Sequence, residues 1–125
     1  MGKMSREKGK RGEREWASFC RRNGYDCRRT AQYCGKTGNA ADVVGLPGIH
    51  QEVKRVERLD LYGALLQAKR DAPGGTVPII AHRKNDHSWV VVMDAEDWFS
   101  LYRAWELSEN TFPPAGRDCN QGGEE

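Results

Sequence analysis

The chain has 125 residues, of which 38% are hydrophobic and 30% are charged. This length allows one domain with a buried core and is too short for two. No apolar segment approaches the length of a membrane span, and the basic N-terminus lacks the apolar segment of a secretory signal. These features predict a protein of the cytoplasm, or a viral protein acting in the cytoplasm of its host, with no membrane partner.

The net charge is only +2, but it is unevenly distributed along the chain. Residues 1–40 carry 11 Lys and Arg against 4 acidic residues, whereas residues 71–125 carry 4 basic against 10 acidic residues. Neutralising phosphates releases counterions, so a basic first third favours a nucleic-acid partner. The alternative is a basic helix face that serves only solubility.

The N-terminal third is predicted to form a flexible basic arm over residues 1–9 and then a helix over residues 10–23. Trp16, Phe19 and Cys20 follow the spacing of one apolar helix face. Alternating or apolar segments predict five strands. They lie at 25–30, 42–46, 49–56, 77–83 and 88–93. The other two helices are predicted at 59–72 and after the capping residue Asp94.

Strands interrupted by helices are typical of an α/β fold of the mixed α+β type, with a central mixed sheet flanked by helices. The predicted order is αβββαββα. A tight turn at Pro47-Gly48 joins two strands into a hairpin. We expect a single domain over residues 10–107, followed by a disordered acidic tail over residues 108–125.

Two carboxylates and a lysine are predicted to meet on this hairpin. Asp42 opens one strand, and Glu52 and Lys54 lie two residues apart on the other, so both point to one face. Paired carboxylates suit Mg²⁺, and an adjacent lysine can activate water or stabilise charge on an attacked phosphate. The alternative is a surface salt bridge between Glu52 and Lys54, which would contribute little.

A further carboxylate is expected from the first helix. Glu13 and Glu15 are the two candidates, but at about 100° per residue they point in different directions, so only one can face the site. His50 shares the face of Glu52 and is expected to make at most a peripheral contact.

These residues resemble the signature of the PD-(D/E)XK nuclease superfamily, Asp42 followed by Glu52-Val53-Lys54. Within it, the chain is similar to the archaeal-type Holliday junction resolvases and their phage relatives. As in that family, Glu13-Arg14 on a basic helix precedes Gly24-Tyr25 by eleven residues. The "CRRT" strand, the "GKTGN" loop, Asp42-Val43-Val44 and a helix with Gln67 follow in the family's order. The match covers roughly residues 8–93, with Ala41 where the family has Pro.

The resemblance implies a restriction-endonuclease-like core and a structure-selective endodeoxyribonuclease that uses Mg²⁺, with Mn²⁺ as a substitute. Glu13, Asp42, Glu52 and the carbonyl of Val53 would bind the metal, and Lys54 and Gln67 would complete the catalytic set. The implied substrate is a four-way DNA junction, cut by a C₂ homodimer. The residues expected to contact DNA are Lys8, Lys10, Arg11, Arg14, Arg28, Arg29, Lys36 and Thr37.

Two alternatives remain open from the sequence. One is another PD-(D/E)XK nuclease, such as a flap, restriction-like or virus-type replication-repair enzyme. The other is a nucleic-acid-binding module on the same fold that has no catalytic activity. The apolar strand "SWVVVM" and the helix with Trp98 and Trp105 are candidates for the dimer interface.

Overall fold

In a computed structural model, residues 2–30 and 41–108 are described, with side chains from Glu7 onward. The elements occur in the order αβββαββα, and the predicted mixed α/β class is confirmed. The bounds are α1 Gly2–Arg22, β1 Arg28–Arg29, β2 Val43–Val44, β3 Ile49–Lys54, α2 Leu61–Asp71, β4 Val77–His82, β5 Val90–Val92 and α3 Ala95–Leu107.

The five strands form one mixed sheet in the order β1-β2-β3-β4-β5. The β3–β4 pair is parallel and is connected through α2, whereas the other neighbours are antiparallel. The predicted hairpin therefore exists as β2 and β3, with Val43 opposite Gln51.

Helices α1 and α2 cover opposite faces of the sheet. Trp16 of α1 belongs to a buried cluster with Val43 and Val53. Ala64 and Ala68 of α2 pack instead against Ile80. Because Ile80 pairs with Glu52 in parallel register, these two side chains point to the face of α2. Alternation along β3 thus sends Val53 to the face of α1 and Glu52 to that of α2.

The first helix begins earlier than the sequence suggested. From Gly2 onward, the segment expected to be a flexible arm is part of α1. Lys, Arg, Glu and Met are good helix formers, and each residue added to an existing helix gains one backbone hydrogen bond. The α1 helix ends before Gly24, whose φ is 98°, a conformation that favours glycine.

The chain divides into two compact units between Asp94 and Ala95. In the second unit, the rings of Trp98 and Tyr102 stack in α3 with centroids 5.5 Å apart. The α3 helix has no buried residue. Residues 109–125, most of the expected tail, lie outside the described residues. No helix in the described part of the chain is long and apolar enough to cross a membrane.

Candidate active site

The centre of the site is the cross-strand pair of Asp42 and Glu52. Since Val43 pairs with Gln51 in antiparallel register, Asp42 lies opposite Glu52. The amide of Val53 donates to Oδ2 of Asp42 at 2.9 Å, which fixes that carboxyl group against β3. The side chains of Asp42 and Glu52 are close enough to share a proton, and each acts on the pKa of the other. The structure thus brings these two acidic side chains together, as expected from the hairpin.

The surroundings of this pair disfavour two negative charges. Burial, and then the charge of Glu52, raise the pKa of Asp42 to about 7. Burial likewise raises the pKa of Glu52, and the charge of Asp71 acts in the same direction. Two carboxyl groups that resist ionisation side by side are stabilised by a shared proton or by a cation.

Lys54 extends the site along β3. It is half-buried on the same face as Glu52, and its charge lowers the pKa of both Asp42 and Glu52, although the stronger effects of burial prevail. An ammonium group beside paired carboxylates can stabilise negative charge that develops on a bound phosphate. Glu52 and Lys54 thus place an acidic and a basic side chain two residues apart on one face of β3, as the sequence predicted.

The contacts of α1 distinguish Glu13 from Glu15. Oε1 of Glu13 accepts from Nε of Arg29 at 2.9 Å, and the charge of Asp42 helps burial to raise the pKa of Glu13. Glu15 instead accepts from Nε of Arg55 and from Nη1 of Arg83, both at 2.8 Å. Glu13 is therefore the glutamate within electrostatic range of the carboxylate pair, and Glu15 joins α1 to two strand ends.

A glycine sets the close approach of α1 to the sheet. A Cβ atom at Gly12 would lie 2.6 Å from Cβ of Arg55, closer than real side chains approach. Only the absence of a side chain lets α1 lie this close to the end of β3. The same approach brings Glu13 to Arg29 and Glu15 to Arg55.

The donor set fits a hard divalent cation held by few protein ligands. Mg²⁺ is commonly bound through one or two carboxylates, with waters and phosphate oxygens as its other ligands. Asp42 and Glu52 supply such a pair, and Val53 could add only its carbonyl, because its hydrocarbon side chain has no ligand atom and is buried towards α1. Across residues 2–30 and 41–108, no three His, Cys, Asp or Glu side chains are arranged to hold an ion together.

No protein-family model matches the chain, and neither a curated protein nor a solved structure matches it. The resemblance to PD-(D/E)XK nucleases therefore stays a prediction from the motif residues of the sequence.

The remaining predicted residues lie at different distances from this centre. Gln67 is exposed on α2, where Ala64 and Ala68 make the packing contacts, so its expected catalytic part stays a prediction. Arg28 is exposed and pairs with Asp26 at 2.8 Å. The other basic candidates of α1 are exposed or half-buried, namely Lys8, Lys10, Arg11 and Arg14. Lys36 and Thr37 lie outside the described residues.

Two further residues lie near the pair, of which His50 was expected to make at most a peripheral contact and Asp71 was not predicted. Nε2 of His50 lies 2.7 Å from Oε2 of Glu52, and Asp71 at the end of α2 interacts electrostatically with both of them. The period of two along a strand already placed His50 on the correct face. Asp71 lies far along the chain, and only the packing of α2 on the sheet brings it close.

Proposed function

We propose that the protein is a Mg²⁺-dependent endodeoxyribonuclease with a restriction-endonuclease-like core, and that it resolves Holliday junctions. The observation that carries this proposal is the contact between Asp42 and Glu52, with Lys54 on the same face of β3. A purely structural role does not explain two half-buried carboxyl groups in contact, because their repulsion disfavours the folded state once both are ionised.

Asp42 and Glu52 would hold the cation, and the amide of Val53 keeps Asp42 in place for this task. Bound Mg²⁺ would supply the positive charge that polarises a phosphodiester. Lys54 would orient a water molecule for attack or stabilise the charge that develops on the phosphate. Glu13 would contribute from α1, where Arg29 holds its carboxylate close to Asp42.

The substrate proposal rests on charge and symmetry. Exposed basic residues along α1, among them Lys8, Arg11 and Arg14, suit a phosphate backbone that is recognised by shape. A four-way junction needs two symmetric cuts, and a C₂ homodimer would supply two sites. The edge strand β5 exposes Val90 and Val91 and is a candidate part of the dimer surface. Light scattering of the purified protein measures the mass and would contradict the dimer if only monomers are found.

The test of the activity is cleavage of a synthetic four-way junction in Mg²⁺, beside a flap and a linear duplex. We expect cleavage of the junction that Asp42→Asn, Glu52→Gln and Lys54→Met each abolish. The matched control is Lys84→Met, because Lys84 is exposed in the turn after β4. Preferential cutting of flaps or linear duplex would indicate another nuclease of this type. Tight junction binding without any cleavage would indicate a binding module, and cleavage by all three variants would refute the assigned site.

A further inference from the structure

The only histidine on the face of the carboxylate pair in β3 is almost fully enclosed. The side chain of His50 is 2% exposed, and its Nε2 atom lies 2.7 Å from Oε2 of Glu52, which is itself 12% exposed. A buried imidazole is stable only when its polar atoms find partners. The carboxyl group of Glu52 is the partner that the structure provides for Nε2.

Binding of a cation would set the direction of this hydrogen bond. A carboxylate that ligates a cation is ionised and only accepts, so in that state the imidazole carries its proton on Nε2 and donates to Glu52. Such a charge-assisted hydrogen bond is about twice as strong as one between neutral groups. It holds Oε2 of Glu52 and does not engage Oε1.

The position of His50 in the sheet limits its freedom. His50 lies beside Pro78 in the parallel β3–β4 pair, and Pro78 is buried. The carboxylate of Asp71 acts electrostatically on both His50 and Glu52 from the last turn of α2. The imidazole is therefore buried on the face of the sheet that α2 covers, and its Nε2 atom lies against Glu52.

We infer that His50 is a positioning residue that holds the Glu52 carboxylate in the orientation needed to bind a divalent cation. This inference rests on the proposed function of Asp42 and Glu52. A carboxylate that ligates a metal is commonly held by a hydrogen bond from a neighbouring group, and loss of that group costs about 10–100-fold in metal affinity or activity. His50 is assigned that role here without contacting the ion or the DNA.

The test measures direct binding of Mn²⁺ by electron paramagnetic resonance in the absence of DNA. His50→Met puts an apolar side chain of similar length in place of the imidazole and removes the donor, and we expect it to weaken Mn²⁺ binding about 10–100-fold. His50→Gln places an amide N–H near the position of Nε2 and should retain most of the affinity. The control His87→Met makes the same change at an exposed turn residue and should bind Mn²⁺ as the wild type does.

A second readout separates positioning from chemistry. In junction cleavage, His50→Met should raise the Mg²⁺ concentration needed for half-maximal rate while the rate at saturating Mg²⁺ stays close to that of the wild type. Thermal melting without metal shows whether each variant folds. If His50→Met does not fold, His50→Asn replaces it, because its shorter amide cannot reach Oε2 of Glu52.

The outcomes distinguish this inference from the proposed function. Equal Mn²⁺ affinity of the wild type and His50→Met would overturn the role of His50 and leave the proposed site standing. A wild-type protein that neither binds Mn²⁺ nor cuts any DNA would overturn both. Weak binding by His50→Met, restored in His50→Gln, is the result that supports the inference.

Discussion

Glu13 and Glu15 lie two residues apart on α1 and form ion pairs with arginines at different places along the sheet. Glu13 is paired with Arg29 of β1, and Glu15 is paired with Arg55 and Arg83 beyond the ends of β3 and β4. One turn of helix thus supplies one glutamate near the carboxylate pair and one that anchors α1 to the sheet. The two residues are a matched pair for separating catalysis from stability.

Replacing each glutamate by glutamine should affect different properties. Glu13→Gln is expected to lower junction cleavage by about tenfold or more and to leave stability nearly unchanged, because burial already disfavours the charge of Glu13. Glu15→Gln is expected to cost about 1 kcal/mol of folding free energy, since two arginines lose their ionic partner. Urea denaturation and a cleavage assay measure both quantities. Equal loss of activity in the two variants would contradict the assignment of Glu13.

Neighbouring arginines of β1 should likewise differ in DNA binding. The guanidinium of Arg28 is largely exposed, whereas that of Arg29 is half-buried against Glu13. Arg28→Gln should lower the dependence of log Kd on log salt by about 1, the effect of one lost phosphate contact. Arg29→Gln should change that slope less and reduce stability by about 1 kcal/mol. A larger change in the salt dependence for Arg29→Gln than for Arg28→Gln would mean that Arg29 leaves Glu13 to contact DNA.

The sequence predicted the local features better than the long-range contacts. Alternation along residues 49–54 and the Pro47-Gly48 turn were enough to place Asp42, Glu52 and Lys54 together, because a hairpin is set by neighbours in the chain. The extent of α1 was missed because its first turns contain glycines and many charges. The nearness of Asp71 depends on how α2 packs against the sheet, and no local pattern encodes that packing.

Two glycines of α1 provide a test of how α1 packs on the sheet. Gly12→Ala places a Cβ atom against Cβ of Arg55 and should destabilise the protein by about 1–3 kcal/mol, since neither backbone can yield easily. Gly9 has open space around it, so Gly9→Ala should instead stabilise the helix by about 0.5–1 kcal/mol. Thermal melting compares the two variants. A melting temperature of Gly12→Ala at or above that of the wild type would contradict the close approach of α1 to β3.

The carboxylate pair should make the stability of the metal-free protein fall as pH rises. The pKa of Asp42 is raised from 3.8 to about 7 in the folded state, so its stabilising proton is fully present below about pH 4 and lost as pH passes through about 7. Asp42→Asn cannot ionise and should be more stable than the wild type at pH 8, by on the order of 2 kcal/mol, with a shallower slope. Urea denaturation in a chelating buffer from pH 5 to 8 measures this difference. The control is Asp26→Asn at an exposed position, which should keep the wild-type slope; parallel curves for the wild type and Asp42→Asn would show that Asp42 ionises normally.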